Sequence, residues 1–128
     1  EKNCSRLINS ALCQSACGHL FHCGLGNGSF TLSYDGFFRF CSSLHHPDCV
    51  YDLKRGSLIE AWKNFIPRVR GMRSDSERFL KKCHVCPIIN LCIWCPARAH
   101  LESGELDKPI DYFCEVARAR AHALSKKA

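Results

Sequence analysis

Eight of the eleven cysteines in this 128-residue chain fall into two interlocking runs of fixed spacing. The first reads Cys17-x5-Cys23 and then Gly36-x4-Cys41; the second reads Cys83-x2-Cys86-x5-Cys92-x2-Cys95 and then Cys114. Thiolates are soft ligands suited to zinc and to iron–sulfur centres, and a 4Fe–4S cluster takes four of them. Eight thiolates make two such sets. Cys83, Cys86 and Cys92 can leave one loop while Cys114 arrives from a distance. Cys17 and Cys23 can leave an earlier loop while Cys41 is folded back toward them, and Cys95 is the natural candidate for the remaining fourth ligand.

Zinc is the competing reading. Cys83-x2-Cys86 and Cys92-x2-Cys95 each resemble half of a zinc site, but only five residues separate them, against roughly 12 to 20 in ribbons and fingers. One four-cysteine zinc site would also leave Cys17, Cys23, Cys41 and Cys114 without a role. Disulfides fit less well, because the cysteine count is odd and clustered C-x2-C spacings suit metal. A thioredoxin-type redox pair fails, because Pro87 follows Cys86 where such a motif needs a helix after a βαβ unit. Cys4, Cys13 and Cys49 lie outside the pattern and read as buried or free thiols. His84 is placed to support a ligand through a hydrogen bond. His45-His46, beside Pro47, reads as a solvated pair rather than a metal site, and Trp62 and Trp94 read as packing residues.

The formal net charge of +6 invites a nucleic-acid partner. Two clusters, each near −2 with its thiolates, would lower that sum to about +2. Lys63, Arg68, Arg70, Arg73, Lys126 and Lys127 are spread as on a solvated face, so no nucleic acid is expected. No run of 18 apolar residues exists, and the N-terminus has no signal-peptide pattern, so no membrane partner is expected and the location should be cytoplasmic. The length suits a single domain over 1–128, and the cysteine density suits one ordered by metal as much as by apolar burial. The chain begins at Glu1, not Met, and reads as a piece of a longer protein.

The elements that must position these thiols make a small irregular α+β domain with one β-hairpin, several short helices and cysteine-rich metal loops. Residues 3–12 place Cys4, Leu7, Ile8, Ala11 and Leu12 on one helical face, and 13–28 read as an irregular ligand loop. Ser29 to Tyr34 and Phe37 to Cys41 flank Asp35-Gly36, a strong hairpin signal. Ser57 with Glu60 forms a capping box for a helix whose inner face is Leu58, Trp62, Phe65 and Ile66, with Pro67 bending or ending it. A second box, Ser74 with Glu77, starts a short helix that ends near Lys82 and delivers Cys83. Pro87 and Pro96 should keep 83–98 irregular. The last helix starts near Asp107 or Asp111 and runs to Leu124, with Cys114, Ala117, Ala121 and Leu124 on one face.

The whole pattern resembles the SPASM domain, the C-terminal auxiliary-cluster domain of radical S-adenosylmethionine enzymes that modify peptides and proteins. The likeness extends beyond cysteines to Tyr34-Asp35-Gly36, to Gly56-Ser57-Leu58-Ile59-Glu60-Ala61-Trp62, and to Cys95-Pro96-Ala97-Arg98-Ala99 followed by Gly104. It covers about 17–124, with about 1–16 as a linking helix. The resemblance implies one 4Fe–4S cluster on Cys17, Cys23, Cys41 and Cys95, and another on Cys83, Cys86, Cys92 and Cys114. The family places three residues before the fourth loop cysteine, where this chain has only Ile93 and Trp94. The implied role is electron transfer and shaping of a peptide pocket. The implied partners are a barrel domain of the same protein, which would hold S-adenosylmethionine and a third cluster, a peptide or protein substrate, and an electron donor or acceptor. Barrel chemistry requires a C-x3-C-x2-C loop; Cys13-x3-Cys17 begins one, but Leu20 stands at the third position. This piece is therefore not expected to be an enzyme alone, while its parent is. The rival functions are a zinc-stabilised interaction module and a stand-alone ferredoxin-like electron carrier.

Overall fold

In the computed structural model, which describes residues 18–21, 23, 26 and 28–126, a three-stranded antiparallel sheet and several short helices make a small α+β fold. The helix expected over 3–12, most of the 13–28 loop, and Cys4, Cys13 and Cys17 lie outside the described residues. Strand β1 (Thr31–Leu32) pairs with β2 (Phe37–Arg39), opposing Thr31 to Arg39, and β2 pairs with β3 (Tyr51–Asp52), opposing Phe38 to Tyr51. The hairpin is present, but its strands are shorter and its turn wider than Asp35-Gly36 alone predicts. The loop is Tyr34-Asp35-Gly36, closed by the Ser33 N–H to Phe37 O at 2.9 Å and the Gly36 N–H to Ser33 O at 3.0 Å. Gly36 has φ +87°, a left-handed value at which glycine carries no Cβ penalty. Strand β3 goes beyond the single hairpin expected. Two residues cannot display alternation in a sequence; Leu53 N–H to Gly36 O, at 3.0 Å, secures this edge just past the strand.

Helix α1 runs as Leu58–Glu60, Ala61–Phe65 and Ile66–Arg70, with the middle stretch wound as a π-helix. Ser57 caps it, accepting the Glu60 N–H at 3.1 Å. The other half of the expected box is replaced: the Glu60 carboxylate accepts from the Tyr51 hydroxyl at 2.6 Å. Gly56 lies under that hydroxyl, where any Cβ would clash with it. Leu58 does not face inward but stays 46% exposed, because the wide turn puts the inner stripe on Ala61, Phe65, Ile66 and Val69. Pro67 does not end the helix. Its ring crowds the carbonyl four residues back and it has no N–H to give; the π turn before it, with Ile66 N–H reaching Ala61 O, accommodates both defects.

Helix α2 comprises 77–78 and the π turn Phe79–Cys83, so it delivers Cys83 as its own last residue. Its start differs from the Ser74–Glu77 box. The first helical bond is Leu80 N–H to Ser76 O at 2.9 Å, while Ser74 Oγ accepts from Ser76 N–H at 3.0 Å and donates to Asp107 Oδ2 at 2.7 Å. Glu77 instead pairs with Lys81. Pro96, expected to keep its loop irregular, opens helix α3 (Pro96–Ser103), because the first helical position needs no N–H donor. Gly104, at φ +80°, closes it. Helix α4 (Asp111–Ser125) starts at the second of the two expected positions.

The core lies between the sheet and α1. Phe38, Phe40, Leu44, Cys49 and Val69 are fully buried, and Phe40 meets Phe21 edge-on at 5.0 Å. Each such phenylalanine contributes about 2–3 kcal/mol of burial, so central β2 and the residue after it anchor the domain. Residues 18–20 lie antiparallel to 72–74 through Leu20 N–H to Met72 O at 3.1 Å and Ser74 N–H to Gly18 O at 2.8 Å. Among the described residues no helix is long and apolar enough to cross a membrane.

Candidate metal centres

Cys83, Cys86, Cys92 and Cys114 surround one cavity of about 240 Å³. Their elements explain the convergence. Cys83 ends α2, a chain of turns through Ile89–Leu91 carries Cys86 and Cys92, and α4 brings Cys114 in from the side. Arg120, two turns along α4, donates to Leu91 O at 2.9 Å and holds the loop to the helix. Trp94 N–H points at Cys92 Sγ at 3.4 Å, and the Cys92 thiol reaches Phe113 O at 3.5 Å. Burial pushes the Cys83 thiol up to about 12, reinforced by Cys114, Cys92 and Cys86 in that order. Burial also raises Cys92, opposed by the Trp94 N–H. Burial thus disfavours the thiolate at Cys83 and Cys92; a cationic centre among the four sulfurs would reverse that balance.

Cys23, Cys41 and Cys95 border a second cavity of about 300 Å³. Cys41 stands two residues past the end of β2, and Cys95 is the residue that caps α3. Arg70 Nη1 donates to Cys23 O at 3.1 Å, fixing that backbone against α1. Leu20, Phe21, Phe40 and Leu44 give this cavity an apolar wall. Cys17, the fourth member expected here, is outside the described residues, but its neighbour Gly18 is held against Ser74 at φ +69°.

The two cavities touch. Cys83 and Ile89 line both, so one side chain and one thiol form the partition between the two sets. That contact was not readable from spacing, because it arises from α2 and the Ile89–Leu91 turn meeting the sheet side of the molecule. The role of Arg120 was equally hidden, since an arginine on an exposed helix carries no local signal. His84 follows Cys83 in sequence but lines the other cavity. Cys49 is fully buried beside Met72, as its position outside the pattern suggested. Trp94 packs on Phe79 and donates to Lys108 O at 2.9 Å, and Trp62 packs on Phe30. His45 contacts Arg39 Nη1 at 2.6 Å, and His46 meets the ring of His100 at 5.0 Å.

The donors in both cavities fit an iron–sulfur group. All are sulfur, the softest ligands a protein has. A cavity of 240 Å³ is also several times the roughly 30 Å³ that one water occupies in the liquid, so it has room for a multi-atom centre. Among the described residues no three His, Cys, Asp or Glu side chains are drawn together tightly enough to hold one ion. Comparison with family models, curated proteins and solved structures finds no match for this chain.

Proposed function

We propose that this chain is a SPASM-like auxiliary module that holds two 4Fe–4S clusters and moves electrons within a larger radical S-adenosylmethionine enzyme, a cytoplasmic maturase of a peptide or protein. The observation that carries the reading is the pair of adjoining cysteine-lined cavities. Cys83, Cys86, Cys92 and Cys114 border one, and Cys23, Cys41 and Cys95 border the other, with Cys83 and Ile89 shared. A 4Fe–4S cluster held by four thiolates supplies reversible one-electron transfer. The residues around the thiols suit that use: Phe21, Phe40 and Leu44 give one set an apolar wall, while Trp94 N–H directs a hydrogen bond at Cys92 of the other. Four cysteines per set, with Cys17 as the proposed fourth of the first, would occupy every ligand position. That favours passing electrons over binding substrate at iron.

Anaerobic reconstitution followed by iron and sulfide analysis tests this. About eight irons and eight sulfides per chain are expected. Zinc without inorganic sulfide would replace the reading with a zinc-stabilised module.

A further inference from the structure

The cavity of Cys83, Cys86, Cys92 and Cys114 shares Lys82 with an open neighbouring cleft of about 550 Å³. Arg78, Lys81, Lys82 and Lys108 line that cleft, with Glu77 and Asp111 as its carboxylates. Arg118 stands on the cavity side of the same rim and acts electrostatically on Asp111. Five cations thus face three carboxylates, the third being Glu105, paired with Lys108 at 3.5 Å. The other two are likewise held in exposed pairs, Glu77 with Lys81 at 3.0 Å and Asp111 with Lys82 at 2.7 Å. Exposed pairs of this kind contribute at most about 1 kcal/mol, so an approaching acidic surface can compete for the cations. Val85, 65% exposed, lines the cysteine cavity together with Lys82 and Arg118. A small apolar contact beside Lys82 and Arg118, over a candidate redox centre, matches what a brief, steered encounter requires: little buried area and strong long-range attraction.

We infer that this rim is the docking surface for an acidic one-electron carrier protein, which exchanges electrons with the centre held by Cys83, Cys86, Cys92 and Cys114. The inference rests on the electron-transfer reading above. With a 4Fe–4S cluster held there, the centre would be reduced by one electron as the carrier is oxidised by one, with no bond made or broken and no proton transferred. Charge, not a deep pocket, selects the partner, and the exposed Val85 provides close contact once the surfaces meet.

The test uses the full chain, reconstituted anaerobically, with a flavodoxin of net negative charge as the probe. Stopped-flow mixing follows oxidation of the reduced flavodoxin. The rate should fall at least about tenfold between roughly 0.01 M and 0.15 M salt, as the screening length shortens. Arg78→Glu with Lys108→Glu should slow the low-salt reaction at least about tenfold. Lys54→Glu with Arg55→Glu, on the exposed turn after β3, changes net charge equally and should leave the rate within about twofold. Dithionite, which needs no docking surface, provides the second arm. Centres that dithionite cannot reduce overturn the electron-transfer reading and the docking surface with it. Centres that dithionite reduces, combined with a flavodoxin rate indifferent to salt, leave that reading standing and overturn the docking surface alone. Equal slowing by both double variants also overturns it, because net charge would then be the cause. Should the Arg78 and Lys108 double variant not fold, Arg78→Gln with Lys108→Gln is compared with Lys54→Gln and Arg55→Gln instead, and equal slowing by these two pairs overturns the docking surface in the same way.

Discussion

The two cysteine sets are built in opposite ways. Cys83, Cys86 and Cys92 sit within ten residues of chain and need only α4 to bring Cys114 alongside. Cys23, Cys41 and Cys95 come from a loop, the turn just past β2 and a helix cap, and meet only when sheet, α1 and α3 have packed. The first kind of site is mostly local geometry, closed by one long-range contact. The second is a consequence of the core. Its apolar wall includes Phe40 and Leu44, among the most deeply buried side chains of the molecule. Metal loading should therefore order the 83–95 loop on its own terms, while the Cys23–Cys41–Cys95 site depends on the core being formed already.

Ligand removal tests this most severely. Cys41→Ala and Cys114→Ala should each halve the iron, to about four per chain after anaerobic reconstitution. They should differ in stability. In the proposed ligand sets, the one that includes Cys41 would tie residues 17 to 95 and the other 83 to 114, so loop closure alone should make loss of the former costlier by roughly 0.8 kcal/mol. Anaerobic urea midpoints compare the two variants, and equal midpoints would remove the distinction.

Phe40→Ala strikes the core dependence directly. It should cost about 3–5 kcal/mol in the urea midpoint and empty the Cys41 site while Cys83, Cys86, Cys92 and Cys114 keep their iron. Parallel loss from both sites would mean that the shared wall makes them one cooperative unit.

Smaller changes sharpen the contrast. Gly18→Ala introduces a Cβ at φ +69°, 2.9 Å from Ser74 O, and should cost about 1–3 kcal/mol by prising 18–20 from 72–74. Arg120→Ala removes the bond to Leu91 O and should cost about 0.5–1.5 kcal/mol. Hydrogen exchange should then rise around Leu20 in the first variant and around Leu91 in the second; the same region loosening in both would refute separate supports.

The smallest expected effect is a pH dependence. His100 is held below its ordinary 6.5, first by burial and then by the charges of His46 and His45. The folded chain binds that proton more weakly than the unfolded one, so stability is full above pH 6.5 and falls as the pH drops below it. His100→Phe should flatten that decline in urea midpoints taken at pH 7.5 and 5.5. An unchanged slope would move the effect to other groups.

Local chemistry settled much of this molecule in advance. Cysteine spacing named the ligand candidates, because thiols within one loop cannot separate far. The Asp35-Gly36 pair announced the hairpin because only glycine takes φ +87° without strain, and Ser57 announced the start of α1 by offering an oxygen to a free N–H. Packing decided the rest. Pro67 inside a helix needed a π turn whose cost only tertiary contacts can offset, and the Glu60 carboxylate chose the Tyr51 hydroxyl because β3 brought it there. The partition of Cys83 and Ile89 between two cavities likewise exists only where α2 meets the sheet side of the core. A sequence specifies which groups can reach their near neighbours; which distant groups they meet depends on how the elements close on one another.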